Sequence, residues 1–169
     1  MIGHAEFSDD GMKRFELIRD WSDERSSGAH GTANFIMLNP SMADAEKDDP
    51  TIRKCVGFAR RWGFSRLVAT NLIPVVSPDP YALPPWSGID MKNRASLQRW
   101  LGKADLVVAA WGSQPKALCR TIALAEHIRL IKQTAPVAFH CIGLTKNGEP
   151  LHPSRAAYTE GPTLWESGI

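Results

Sequence analysis

Residues 33–63, ANFIMLNPSMADAEKDDPTIRKCVGFARRWG, carry the pattern that decides the fold. The apolar run at 33–38 predicts a buried strand, because a strand covered on both faces shows no polar alternation. Asp49 followed by Pro50 predicts the start of a helix, since aspartate is a favoured N-cap and proline suits the first helical position. Apolar residues then recur at helical spacing over 51–62, which predicts the helix itself.

The same order of strand and helix continues along the rest of the chain. Strands are predicted at residues 14–19, 65–73, 105–110 and 137–144, and helices at 90–102 and 115–133. The strand at 14–19 alternates weakly and is expected at a sheet edge, whereas the proline-rich segment 74–88 is expected to be an extended loop. Because the inner strands are continuously apolar, we predict a three-layer α/β/α fold with a mainly parallel central sheet, in a single α/β domain over 1–169.

The composition is that of an ordinary globular protein. Of 169 residues, 43% are hydrophobic and 22% are charged, and the net charge of +2 is too small to indicate a nucleic-acid partner without a local basic patch. No run of about 20 apolar residues predicts a membrane span, and the polar first residues do not resemble a secretory signal, so we expect a cytoplasmic protein. Cys55, Cys119 and Cys141 form no Cys-x-x-Cys motif and are expected to be free thiols. No motif indicates a cofactor.

Polar residues follow several of the predicted strands. Asn39-Pro40-Ser41 ends the first buried strand, Asn71 ends the next, and Gly112 and His152 follow the last two. In parallel sheets, ligands bind beyond the carboxyl ends of the strands, so these residues are expected to share one site. The alternative is a set of ordinary turns, in which Asn and Ser side chains bond to their own backbone.

An acidic segment separates the first buried strand from its helix. Asp44, Asp48 and Asp49 lie in this segment, where Asp49 is the predicted helix cap. The other two are either solvated loop residues or ligands of a hard cation such as Mg²⁺, which prefers oxygen ligands. Their spacing matches no calcium-loop pattern, so Asp44 and Asp48 are candidate metal ligands on residue type alone.

Most of residues 35–153 resemble a family known only as domain-of-unknown-function family 1643. The resemblance lies in FIMLNPSMADAEKDDPTIRKCVGFARRWGF, VATNLIP, DLVVAAWG and CIGLTKNGEPLHP. The family implies no activity, so chemistry has to come from the residues themselves.

A more distant resemblance is to the uracil-DNA glycosylase superfamily, whose fold is a parallel sheet flanked by helices. MLNPS, VATNLIP and LHPSR are similar to its motifs and stand in the same order. The resemblance implies a uracil-DNA glycosylase-like fold, in which Asn39 would orient the attacking water and Asn71 would bind the edge of a pyrimidine base. His152 would stabilise the departing base, which carries negative charge. Lining residues of the substrate site would be Pro40, Ser41, Gly112 and Ser154.

Three functions follow as alternatives. The first is an N-glycosidic hydrolase whose partner is a nucleobase, a nucleotide or nucleic acid, and the second is a ligand-binding domain that keeps the pocket without hydrolysis. The third is a metal-assisted enzyme acting on nucleotides through the acidic segment 44–49. Arg155-Ala156 follows the His-Pro-Ser motif, where some glycosylases carry a bulky residue that wedges into the duplex. This difference favours a small substrate, or binding alone, over duplex DNA.

Overall fold

The computed structural model describes residues 1–24, 28–83, 89–113, 122–135, 137–158 and 161–166. Within these ranges the strands are β1 (Ile2–Phe7), β2 (Arg14–Asp20), β3 (Thr32–Met37), β4 (Arg66–Asn71), β5 (Leu106–Ala109), β6 (Phe139–Cys141) and β7 (Thr163–Leu164). The helices are α1 (Pro50–Arg61), α2 (Met91–Leu101) and α3 (Ile122–Thr134). Short 3₁₀ turns occur at Pro80–Ala82 and Pro153–Arg155.

The strands form one mixed sheet in the order β1-β2-β4-β3-β5-β6-β7. The central strands β4, β3, β5 and β6 are parallel to one another, whereas β1, β2 and β7 join antiparallel at the two sides. The predicted parallel centre is therefore confirmed. The prediction that residues 14–19 form an edge strand is wrong, because β1 pairs with the outer side of β2.

Helices cover both faces of the sheet, as the continuously apolar strands predict. On one face, Ile52, Cys55 and Phe58 of α1 pack in a cluster with Phe35, Ala69 and Val108 of the sheet. On the other face, Leu97 and Leu101 of α2 and Ile128 and Ile131 of α3 pack with Ile36 and Val107. Successive residues of β3 and β5 thus point into different clusters, and both strands are buried along their length.

Local signals set the N-terminal starts of the first two helices. The Asp49 side chain accepts a hydrogen bond from the backbone N–H of Ile52 at 2.8 Å, and Pro50 is the first helical residue of α1. Asp90 caps α2 in the same way, through the backbone N–H of Asn93 at 3.1 Å. Each cap satisfies an N–H group that the first turn of a helix leaves unpaired.

Some parts of the chain differ from the prediction or lie outside the described residues. β6 has three residues, shorter than the strand expected at 137–144, and neither β1 nor β7 was predicted. Residues 84–88 of the proline-rich segment, the first part of the helix expected at 115–133, and Cys119 lie outside the described residues. Cys55 and Cys141 are buried free thiols. No helix within the described ranges is long and apolar enough to cross a membrane.

Candidate functional site

The carboxyl ends of the central strands bring the predicted site residues to one edge of the sheet. β3 pairs with β4 as far as Asn71 and with β5 as far as Ala109. The last β3–β5 pair is Ile36 with Ala109, and Asn39 and Gly112 each follow three residues after it. Asn39 therefore follows β3 between the ends of the two neighbouring strands, where an α/β sheet binds its ligands.

The side chain of Asn39 is held in one orientation. Its Nδ2 donates to the backbone carbonyls of Pro40 and Ser77, each at 2.9 Å. A flipped amide would set oxygen against these two carbonyls, so the contacts fix which atom is the acceptor. Asn39 is half-buried, and its Oδ1 accepts no hydrogen bond from the residues that the structure describes. The amide thus offers a directed carbonyl oxygen to a water or a ligand.

His152 packs directly on Gly112. A Cβ atom on Gly112 would lie 3.0 Å from the Cβ of His152, and the backbone of Gly112 has φ of +71°. The backbone N–H of Gly112 donates to the carbonyl of Pro150 at 3.0 Å, which attaches the loop containing His152 to the end of β5. Glycine is suited to this position because it permits both the positive φ and the close approach.

The contacts of His152 assign its two ring nitrogens. Nδ1 lies 2.8 Å from Oγ of Ser154 and 3.4 Å from the backbone N–H of Ser154. A backbone N–H can only donate, so Nδ1 is the accepting nitrogen and the proton of the neutral ring is on Nε2. His152 at this position also caps the 3₁₀ turn Pro153–Arg155.

The electrostatic surroundings favour the neutral form of His152. Burial lowers its pKa, the negative charge of Asp49 opposes this, and the positive charge of Arg155 lowers the pKa further. The net direction is downward, so the ring is neutral at pH 7 and Nε2 is an uncharged donor.

Asn71 is completely buried, and its side chain contacts a residue that the sequence did not indicate. Its Oδ1 accepts from Nη2 of Arg14 at 3.4 Å, while Nη1 of Arg14 donates to the carbonyl of Ala43 at 2.8 Å. With Oδ1 engaged, Nδ2 is the group of Asn71 that has no partner among the described residues. Of the two Asn71 groups expected to bond a pyrimidine edge, Oδ1 thus already has a protein partner, which the sequence could not reveal.

The two candidate metal ligands have contacts that account for their positions. Oδ1 of Asp44 accepts from the backbone N–H groups of Glu46 and Lys47, at 2.8 and 2.7 Å. Oδ1 of Asp48 accepts from Nε of Arg19 at 2.7 Å. Within the described part of the chain, no group of three or more His, Cys, Asp or Glu residues could hold a metal ion. The Asp44 side chain thus holds the turn within the acidic segment, and Asp48 holds that segment against β2.

The remaining predicted lining residues lie on the same loops. Pro40 is buried, and its carbonyl accepts from Asn39 and from the backbone N–H of Ser77 at 2.9 Å. Ser41 is half-buried next to it, and Ser154 is exposed where it bonds His152. A separate small pocket lies between α2 and α3, with Leu97, His127 and Ile131 among its lining residues.

The fold and the polar residues at the carboxyl edge of the central strands define the class of protein. It is an α/β protein whose polar side chains stand at the carboxyl ends of a parallel sheet centre. The chain belongs to the family described as "Protein of unknown function (DUF1643)", whose model matches residues 14–154. No curated protein and no solved structure matches the chain. The matched span includes the strands β2–β6 and each residue assigned above to the site.

Proposed function

We propose that the protein hydrolyses the N-glycosidic bond of a nucleobase-containing substrate, in the manner of the uracil-DNA glycosylase superfamily that its motifs resemble. Asn39 and His152 are the catalytic residues of this proposal. The observation that supports it is their pair of fixed and opposite hydrogen-bonding roles. Asn39 offers an acceptor oxygen, and His152 offers a neutral N–H donor that is tied to the end of the neighbouring strand.

The two roles match the two needs of the reaction. The oxygen of a water forms a bond to the anomeric carbon while the carbon–nitrogen bond to the base breaks. The electron pair of that bond leaves with the base, and the proton lost by the water ends on the base or in solvent. Oδ1 of Asn39 aligns the water by accepting from it, although an amide is too weak a base to remove the proton itself. Nε2 of His152 donates to the base oxygen on which negative charge develops.

A neutral histidine suits the second role because its proton stays in place. The lowered pKa of His152 keeps the ring uncharged before the reaction, so it stabilises the anion by a directed hydrogen bond. The bond from such a donor becomes stronger as the oxygen becomes negative, which is the condition for accelerating the reaction rather than merely tightening substrate binding.

The proposal is tested by measuring free base released from uracil-containing oligonucleotides, nucleosides and nucleotides. Asn39→Ala and His152→Ala should each abolish release. Asn147→Ala and His4→Ala are matched controls, since they change the same residue types at exposed positions and should leave release unchanged. Release that continues undiminished in both Asn39→Ala and His152→Ala would contradict the assigned roles.

A second candidate function is binding of a nucleobase-like ligand without hydrolysis. Asn71 favours it over hydrolysis, because its Oδ1 is already bonded to Arg14 and only Nδ2 is left for a ligand. Asn71 therefore does not hold a base edge by the two hydrogen bonds expected for the hydrolytic function. Binding alone would give a saturable rise in melting temperature with nucleobases or nucleotides, since a ligand stabilises the state that it binds. The same substrates would then release no base over long incubation.

A further inference from the structure

Arg14 donates to the carbonyl of Ala43 and so lies beneath the segment 40–49, which we call the cover segment. It belongs to a group of buried polar side chains. Arg14 and Asn93 are each 1% exposed and Asn71 is 0% exposed. Arg14 donates to the Asn71 side chain, and Nδ2 of Asn93 donates to the Asn71 carbonyl at 2.9 Å. The three residues come from β2, β4 and α2, so the tertiary fold assembles them.

A β-bulge directs Arg14 toward this group. On β1, Glu6 lies opposite Glu16 and Phe7 lies opposite Arg14, which makes Phe15 an extra residue on β2. Without the bulge, Arg14 and Glu16 would point to the same face, because side chains alternate along a strand. Glu16 points to α2, where its carboxylate accepts from Trp100 at 2.7 Å, whereas Arg14 reaches the cover segment. Bulges that redirect a side chain are common next to functional sites.

Arg14 and Asn71 each have a hydrogen-bond donor that lacks an acceptor. Nε of Arg14 and Nδ2 of Asn71 are buried and have no partner among the described residues. One acceptor, Oδ1 of Asn93, is also without a partner there. Buried donors are nearly always satisfied in folded proteins. Two unsatisfied donors, on side chains that are hydrogen-bonded to each other, therefore indicate that a ligand supplies oxygen atoms here.

The charge of Arg14 is also incompletely balanced. The nearby Arg19 is paired with Asp48 at 2.7 Å, which leaves Asp49 as the carboxylate whose charge acts on Arg14. Asp49 forms no ion pair with Arg14 and bonds the N-terminus of α1 instead. Burial outweighs its attraction and lowers the pKa of Arg14 to about 10. A buried guanidinium in this state gains from an added negative charge.

We propose that Arg14 and Asn71 form a binding site for an oxyanion, the phosphate or carboxylate group of a small ligand, beneath the cover segment. The planar guanidinium presents parallel N–H groups that match two oxygens of such an anion, and Nδ2 of Asn71 adds a third donor. Because both residues are buried, the anion enters when the cover segment lifts and the bond from Arg14 to Ala43 opens. The site goes beyond the proposed hydrolysis and does not depend on it.

The test uses the whole chain with sodium phosphate or sodium acetate, against sodium chloride at equal ionic strength. For one of the two oxyanions we expect a saturable rise in melting temperature, and the two arms distinguish a phosphate from a carboxylate site. Asn71→Asp should remove this rise, because the new carboxylate pairs with Arg14 and occupies the site while the side-chain shape is kept. Its melting temperature without anion should equal or exceed that of the wild type, which separates loss of binding from failure to fold. Arg14→Gln should also weaken binding by at least tenfold.

Arg19→Gln is the matched control. Arg19 is the second buried arginine of β2 and holds the same cover segment through the carbonyl of Asp44, but its charge is already paired. This variant should melt at a lower temperature and still show the rise with the anion. The proposal is overturned if neither anion gives a saturable rise in the wild type, or if Asn71→Asp gives the same rise. A crystal grown in saturating phosphate and acetate that shows only water on Arg14 and Asn71 overturns it as well. Base release is measured separately, so either proposal can fail alone.

Discussion

At the scale of single residues, Gly112 decides where the imidazole of His152 lies. Gly112→Ala should cost about 1–2 kcal/mol of folding stability, because a non-glycine residue is strained at positive φ. It should also displace His152, since the added methyl group would lie 3.0 Å from the Cβ of that residue. Chemical denaturation measures the first effect, and the NMR shifts of the His152 ring measure the second.

Gly63→Ala separates these two effects. Gly63 has φ of +83°, and a Cβ atom there would meet nothing within 4 Å. The strain on the backbone should therefore be similar, while the His152 ring signals should stay where they are in the wild type. Equal movement of the His152 signals in both variants would mean that the contact with Gly112 does not position the ring.

A second residue-scale prediction concerns the pH dependence of stability. Burial, with a further contribution from the charge of Arg94, lowers the pKa of His127 from 6.5 to about 4. The unfolded state then binds a proton at higher pH than the folded state does. The contribution of His127 to stability is complete above pH 6.5 and is lost as the pH falls towards 4. This loss amounts to about 3 kcal/mol, since a tenfold change in proton affinity corresponds to about 1.4 kcal/mol.

The measurement is urea denaturation of the wild type and of His127→Gln from pH 7 to pH 4. Carboxylates lose their contribution over part of the same range in both proteins, so the difference between the two curves reports His127. The wild type should lose more stability than the variant. Parallel curves would show that His127 takes up its proton equally in the folded and unfolded states.

Single residues differ in how much of their role the sequence could reveal. Asn39 and His152 follow buried strands, so the pattern of apolar runs was enough to predict their place at the carboxyl edge. Arg14 was overlooked because its direction depends on the bulge at Phe15, and the bulge is created by pairing with β1. No local signal in residues 14–20 marks that irregularity, so the partner of Asn71 could be identified only in three dimensions.

At the scale of secondary-structure elements, Asp49 links the start of α1 to the site. Asp49→Ala should cost about 1 kcal/mol, because it removes the acceptor for the first turn of α1. It should also lower the pKa of His152 further, since the charge of Asp49 raises that pKa. Denaturation and an NMR titration of His152 measure the two effects.

Asp49→Asn distinguishes the cap from the charge. Asparagine caps helices about as well as aspartate does, so the stability of α1 should be kept. The negative charge is lost, and the pKa of His152 should fall as it does in Asp49→Ala. A pKa of His152 that is unchanged in Asp49→Asn would show that Asp49 acts on the ring through the helix position and not through its charge.

Elements with local signals were predictable, and those that depend on pairing were not. The caps Asp49 and Asp90 act within three residues of their own position, so α1 and α2 begin as predicted. β1, β7 and the shortness of β6 depend on which strands lie beside them. β2 was expected at an edge because its alternation is weak, but pairing with β1 places it inside the sheet.

At the scale of the whole molecule, the C-terminal segment completes the core beside the site. β7 adds to β6 outside the span that the family model matches, and Trp165 follows it, 6% exposed. The Trp165 ring meets Trp111 edge to face, with 5.1 Å between ring centroids, and Trp111 directly precedes Gly112. The segment after β5 and the strand β6 are thus held partly by residues that lie C-terminal to the matched span.

Trp165→Ala should therefore destabilise the whole protein by about 3–5 kcal/mol, as expected when a buried aromatic side chain is removed from a core. Leu164→Ala is the matched control, because the side chain of Leu164 is next to Trp165 in sequence and is 56% exposed. Its removal should cost less than about 0.5 kcal/mol. Urea denaturation followed by circular dichroism measures both, because the helix signal reports the fold and not the tryptophan itself. If Trp165→Ala unfolds at the same urea concentration as the wild type, the packing of Trp165 on Trp111 does not contribute to the stability of the core.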